Sequence, residues 1–138
     1  MDDPAESLLD QLVGAELYEV IFVMDYLQIG FQGDGEHNWR LNLYCWPAVE
    51  TPAGPSLTFG TVGYRDALCG LITVEVAHTR ESAHEGLLIG LGEHTLRLKP
   101  RVTDLSGPEI ALMDTIPPGG GRWMVWRPGE FPFEELAE

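Results

Sequence analysis

Asp10 to Val20 reads DQLVGAELYEV, and Asp66 to Val76 reads DALCGLITVEV. The two stretches share Asp10/Asp66, Leu12/Leu68, Gly14/Gly70, Glu19/Glu75 and Val20/Val76. Ordinary residue usage supplies about one such coincidence in a window of this length. The similarity then continues in order. Leu27-Gln28-Ile29-Gly30-Phe31 matches Leu87-Leu88-Ile89-Gly90-Leu91, and Leu41-Asn42-Leu43 matches Leu96-Arg97-Leu98. The offset between the copies moves from 56 to 60 to 55 residues, so the length changes fall between the matched blocks, where turns tolerate insertion. The chain therefore reads as two copies of one unit, at about residues 8–46 and 64–100, followed by a helix, strand and tail over 104–138.

Each copy predicts a helical turn followed by three strands. In the first, Asp3 caps a helix over 4–13, with Pro4 at its first position, Glu6 three residues after the cap and Gly14 as its stop. Leu8, Leu9 and Leu12 share one face of it. Tyr18, Val20 and Phe22 alternate with Glu19 and Ile21, and Leu27, Ile29 and Phe31 alternate with Gln28, Gly30 and Gln32. Gly33-Asp34-Gly35 signals a turn, after which Trp39, Leu41, Leu43 and Cys45 alternate until Pro47. The second copy repeats this with a helical turn at Tyr64 to Cys69 and buried faces at Val74 and Val76, at Leu87, Ile89 and Leu91, and at Leu96 and Leu98. Pro47 to Pro55 reads as a connector, Pro108 opens a short helix over 108–114, Pro117 to Gly121 reads as a loop, and Trp123 to Trp126 makes a last strand. Two three-stranded meanders with one apolar face each most simply bury those faces against one another. The expected fold is mainly β with minor helix, a β-sandwich or partly open barrel with pseudo-twofold symmetry. Since a lone meander of this size is marginal, residues 1–138 form a single domain.

Composition sets the function classes. The chain has 138 residues, long enough to bury a core without metal or disulfide staples. Its 8 Lys and Arg stand against 22 Asp and Glu, a formal charge of −14 that repels phosphate backbones and anionic membranes, so neither nucleic acid nor membrane is an expected partner. No apolar run approaches the roughly 18 residues of a transmembrane helix, and the start Met-Asp-Asp-Pro lacks the features of a secretory signal. The expected compartment is the cytoplasm, with Cys45 and Cys69 as thiols and small buried hydrophobes. Arginine outnumbers lysine seven to one, a bias of GC-rich genomes, although acidic, lysine-poor surfaces also suit high salt.

Chemistry-bearing patterns are sparse. His78 and His84 flank a polar turn with Glu81 and Glu85, but structural zinc sites draw on closer pairs, so a solvated hairpin loop is favoured and no metal or cofactor is expected. His37 and His94 fall in corresponding turns. No GxSxG elbow accompanies the four serines, and Gly119 to Gly121 lack the flanks of a phosphate loop. Glu16, Glu19, Asp25, Glu75 and Glu109 could pair as acid–base groups, but spacing alone does not single out an enclosed acid. The aromatic segments raise a better candidate. Trp126-Arg127-Pro128-Gly129-Glu130 sets an indole beside a guanidinium, a favoured interface pairing. The competing reading has the tail, with Phe131 and Phe133, folding back as a plug. Candidate binding residues are Trp46, Tyr64, Arg65, Trp126, Arg127 and Glu130, at the open end of the fold. Residues 1–36 carry nine acids and no base, and residues 130–138 four acids and no base, together a negative surface suited to steering a basic partner.

The pattern L-x-G-x-x-x-x-x-V, its repeat, then GPEIALM (107–113) and WMVWRPGE (123–130), resembles small bacterial two-repeat β proteins, some of them similar to immunity proteins that neutralise toxins. The resemblance implies a binding role and carries no catalytic residue. Three expectations follow: a binding protein, of the immunity-inhibitor type, offering an acidic face to a basic protein; a small-molecule binder or enzyme with its site at the barrel mouth; or a module that self-associates through open strand edges.

Overall fold

A computed structural model describes residues 7–33, 38–117 and 122–138. The expected helix start at Asp3 to Glu6, the turn through Asp34 and Gly35 with His37, and the run Gly119 to Gly121 lie outside the described residues. Among the described residues nine strands form two antiparallel sheets packed face to face: β1 (Glu16–Val23), β2 (Tyr26–Gln32), β3 (Asn38–Leu43), β4 (Ala48–Glu50), β5 (Val76–Ser82), β6 (Gly86–Leu91), β7 (His94–Leu98), β8 (Ala111–Ile116) and β9 (Trp123–Trp126). The one α-helix among the described residues, α1, spans Tyr64–Cys69. Among the same residues no helix is long and apolar enough to cross a membrane.

The alternation read from the sequence sets the inner faces. Leu27, Ile29, Phe31, Trp39, Leu41 and Leu43 point inward from one sheet, and Leu87, Ile89, Leu91, Leu96 and Leu98 from the other, all buried. Between them remains a void of about 10 Å³, walled by Leu41, Leu43, Leu87, Ile89, Leu96 and Leu98, which is room for no more than a water molecule. The expected β-sandwich is present, and no barrel closes.

The strand order corrects the simple picture of two separate meanders. One sheet runs β1-β2-β3-β8-β9 and the other β4-β7-β6-β5. Each meander thus gains a strand from the opposite half: β8 follows β7 in sequence but pairs with β3, and β4 follows β3 but pairs with β7. The supposed connector 47–55 therefore contains a strand, with Val49 fully buried. The helix expected over 108–114 is also not formed. Ala111, Met113 and Thr115 are buried while Leu112, Asp114 and Ile116 are partly exposed, a period of two that matches open ladder positions on β3 and β9. A helix of seven residues would have had little stability of its own to set against those two ladders. His78 and Glu81, expected in a loop, belong to β5. The first helix is a 3-10 helix, Leu8–Leu12, capped by Ser7, whose hydroxyl oxygen accepts the Leu9 amide at 3.2 Å.

The two sheets join where the segment before β5 pairs with the start of β1. Glu16 lies opposite Glu75. The Gly14 amide donates to the Val76 carbonyl (2.9 Å) and the Thr73 amide to the Leu17 carbonyl (2.7 Å), while Leu17 donates to Val74 (3.0 Å) and Val76 to Ala15 (2.8 Å). Adding 59 to the first-half number and subtracting 59 from the second-half number turns each bond into its counterpart. Gly14 and Thr73, so related, both have positive φ, +88° and +85°. The sequence match of Gly14 with Gly70 is therefore out of register by three residues: Gly70 ends α1 with an ordinary right-handed φ of −67°. Further along, the offsets of 60 and 55 agree with the pairing. Gly30 sits between Glu19 and Arg40, as Gly90 sits between His78 and Thr95. The missing Cβ matters there. A Cβ on Gly30 would lie 2.9 Å from Glu19 Oε1, so glycine leaves the lane through which Glu19 reaches Arg40 at 2.9 Å.

Candidate functional site

The six candidate residues form two groups. No hydrogen bond, ion pair or ring contact links them among the described residues. The first group gathers around the loop that carries the chain from β4 to α1. Val49 and Leu57 exchange two backbone hydrogen bonds of 2.9 Å, which folds the loop back onto β4. Gly60 and Gly63, at φ of +92° and +91°, then reverse the chain into α1. Trp46 stacks on Phe59 (centroids 4.2 Å apart, planes at 21°), and Phe59 meets Tyr64 edge to face at 6.2 Å. Tyr64 is buried, and its hydroxyl donates to the Pro47 carbonyl at 2.5 Å. Burial pushes its phenol far above the ordinary range, so Tyr64 is a structural pin and not a proton carrier. Arg65, one residue on, is exposed, and its guanidinium lies 6.0 Å from the ring centre of Phe22 at the end of β1. Residues Phe59 through Asp66 line an open depression of about 400 Å³.

In the second group, Trp126 is 1% exposed, and its indole N–H donates to Glu81 Oε1 at 2.8 Å across the two sheets. Glu81 lies on the inward side of edge strand β5, opposite Leu87, so this bond closes one edge of the sandwich. Arg127 lies 3.9 Å from both Glu109 and Glu130, and these exposed contacts each supply a few tenths of a kcal/mol, about 0.5. The turn after β9 brings Phe133 into the core, with the Phe133 amide donating to the Glu130 carbonyl at 2.6 Å. The tail thus folds back, burying Trp126 and Phe133 while Phe131 and Trp123 stay exposed. Of this group only Arg127 and Glu130 face solvent.

Of the candidate acid–base residues, Glu16 and Glu75 come to lie opposite each other, but in the open and not in an enclosed site. Among the described residues no three His, Cys, Asp or Glu side chains gather where a metal ion could sit. The His78 imidazole lies over Gly90, and the backbone carbonyl of His84 accepts a hydrogen bond from Lys99. Glu19 is held by Arg40, while Glu16 and Glu75 are exposed. Cys45 is buried, its thiol 3.6 Å from the Asp104 carbonyl, and burial pushes it up to about 11. Cys69, expected inside, is exposed at the end of α1.

Sequence reading missed Phe22, Phe59, Val62 and Glu81. A signal for Phe59 and Val62 was present, since Phe59-Gly60-Thr61-Val62-Gly63 sets large apolar groups beside two turn-forming glycines. Glu81 was read only in the polar turn beside His78 and His84, and nothing local marked its pairing with Trp126, 45 residues away. No protein-family model matches the chain, and no curated protein or solved structure matches it.

Proposed function

We propose that this chain is a non-enzymatic binding protein, of the immunity-inhibitor type, that presents an acidic surface to a basic protein. One observation carries the reading: six of the eight Lys and Arg side chains are already engaged with carboxylates or carbonyls, and the surplus acids are left facing solvent. Arg40, Arg80, Arg97 and Arg127 each lie within 4.0 Å of a carboxylate, while Lys99 and Arg101 donate to backbone carbonyls. Glu16, Asp25, Asp66, Glu75, Glu93, Glu134 and Glu135 are exposed with no cation partner among the described residues. Such a surface raises the encounter rate with a cationic protein and disfavours wrong partners. The scarcity of enclosed titratable clusters fits the same role.

The test is capture from an extract of the native cells on the immobilised chain, at low and high salt. The expected result is a basic protein held at low salt and released as ionic strength rises. Recovery of no basic protein at either salt contradicts the proposal.

A second reading, self-association, is favoured by β9. It lies at a sheet edge, and Trp123 on it is 62% exposed. Sedimentation would show a concentration-dependent dimer; a monomer throughout would remove this reading.

A further inference from the structure

We infer that the depression between Phe59 and Asp66 is a binding site for the carboxyl-terminal end of a polypeptide whose last residue is apolar. This inference goes beyond the acidic-surface reading, with which it shares only Asp66 and whose ligand would carry the opposite charge. The depression has an apolar wall and a cation at one side. Phe59 is 48% exposed and Val62 is 96% exposed, so two apolar side chains three residues apart face solvent on this wall. Phe59 is fixed from behind by the stack on Trp46 and the edge of Tyr64, so its ring is presented rigidly.

The cation is Arg65. Among the described residues it and Arg122 are the two bases with neither a carboxylate nor a carbonyl partner, and each rests instead on an aromatic ring. In a chain with 22 acids, a guanidinium left without one is available to an anion from outside. Its planar fork suits a carboxylate, which accepts two parallel hydrogen bonds from it. The surrounding acidic field repels anions in general. An acid that binds here must therefore bring apolar surface as well, and Phe59 and Val62 supply the complement.

The openness of the depression selects a chain end over a free small acid. Small-molecule pockets enclose most of their ligand. Here the lip at Val62 stands in solvent, so one side chain and one carboxylate can be seated while the remainder of a chain extends outward. Gly60 and Gly63 have nothing within 4 Å of the position a Cβ would take, which leaves room beside the backbone for that segment.

The test is a titration of the full chain, followed by the amide resonances of 61–66, with acetyl-Gly-Gly-Phe bearing a free carboxylate. The same peptide as its carboxamide and the free acid 3-phenylpropionate serve as separate arms. The inference expects saturable shifts at these amides and about fivefold weaker binding of the carboxamide. Arg65→Gln, at an exposed position, should erase that preference, whereas Arg127→Gln should keep it. Equal binding of peptide acid and carboxamide, or shifts confined to other parts of the chain, would overturn the site. Binding of 3-phenylpropionate as tight as the peptide acid would overturn its assignment to a chain end. The acidic-surface reading survives each of these failures, because no arm measures binding of a basic protein.

Discussion

Glu16 and Glu75 face each other across the junction of the two sheets. The flanking bonds from Leu17 to Val74 and from Val76 to Ala15 make this a non-hydrogen-bonded antiparallel pair, the closer of the two kinds, with Cα atoms about 4.5 Å apart. Both side chains are exposed and both are acids, so like charges stand side by side where the fold is knitted together. Direct cross-strand repulsion weakens a sheet, whereas opposite charges there strengthen it.

Replacing one of the two acids with a base should therefore stabilise the protein. Glu75→Lys is expected to raise the unfolding free energy by about 0.5–1 kcal/mol at low salt, with the gain shrinking as salt is added. Glu16→Lys combined with Glu75→Lys should return to the wild-type level, because repulsion is restored with the sign reversed. Urea midpoints at two ionic strengths measure both.

Thr73 tests the backbone of the same junction. A β-branched residue at φ of +85° is strained, while its counterpart Gly14 adopts +88° without cost. Thr73→Gly should relieve about 1–2 kcal/mol of strain and give back about 0.5–1 kcal/mol of chain entropy, a net gain of up to about 1.5 kcal/mol. Gly14→Thr should be destabilising by about 1–2 kcal/mol. Thermal unfolding of the two variants decides the matter.

The Trp126–Glu81 bond is worth more than its exposure suggests, because one partner is in the core. Glu81→Ala leaves the buried indole N–H without an acceptor and should cost about 1–3 kcal/mol. Glu81→Gln keeps an acceptor oxygen and should cost less than half as much. Denaturant unfolding followed by tryptophan fluorescence provides the comparison.

Cys45 gives a pH dependence of definite sign. Burial raises its thiol from 9.0 to about 11, so the unfolded chain releases this proton first. Stability from this group is intact below about pH 9 and falls as pH rises toward about 11. The slope of stability against pH in that window should flatten in Cys45→Ala, whatever the variant's absolute stability. Thiol reagents at pH 8 should label Cys69 readily and Cys45 only when the chain unfolds.

Much of the sandwich was legible because alternation assigns each side chain to a face, and a slip of one residue would reverse every assignment. Leu27, Ile29, Leu41 and Leu43 therefore lie on the buried face read for them, as do Leu87, Ile89, Leu96 and Leu98. The first matched block slipped because identical letters favoured Gly14 with Gly70. Threonine at 73 carries no sign that its backbone turns left-handed. The strand at 111–116 was hidden by Pro108, whose helix-starting signal is local, whereas its partners on β3 lie far away in sequence. Trp46, Tyr64 and Arg65 share one region, whereas Trp126, read beside them, lies against Glu81. Arg65 is exposed there, but Tyr64 was not recognisable as a buried pin until the Pro47 carbonyl was seen against its hydroxyl.

The central claim, that unpaired surface acids serve to hold a basic protein, is tested most directly by charge reversal. Immobilised wild-type chain and the Glu16→Lys, Glu75→Lys variant, both verified as folded, are compared for retention of native-extract proteins at low salt. The account predicts a basic protein that the wild type retains and the variant retains several-fold less. Equal retention by both, or none by the wild type, would contradict it.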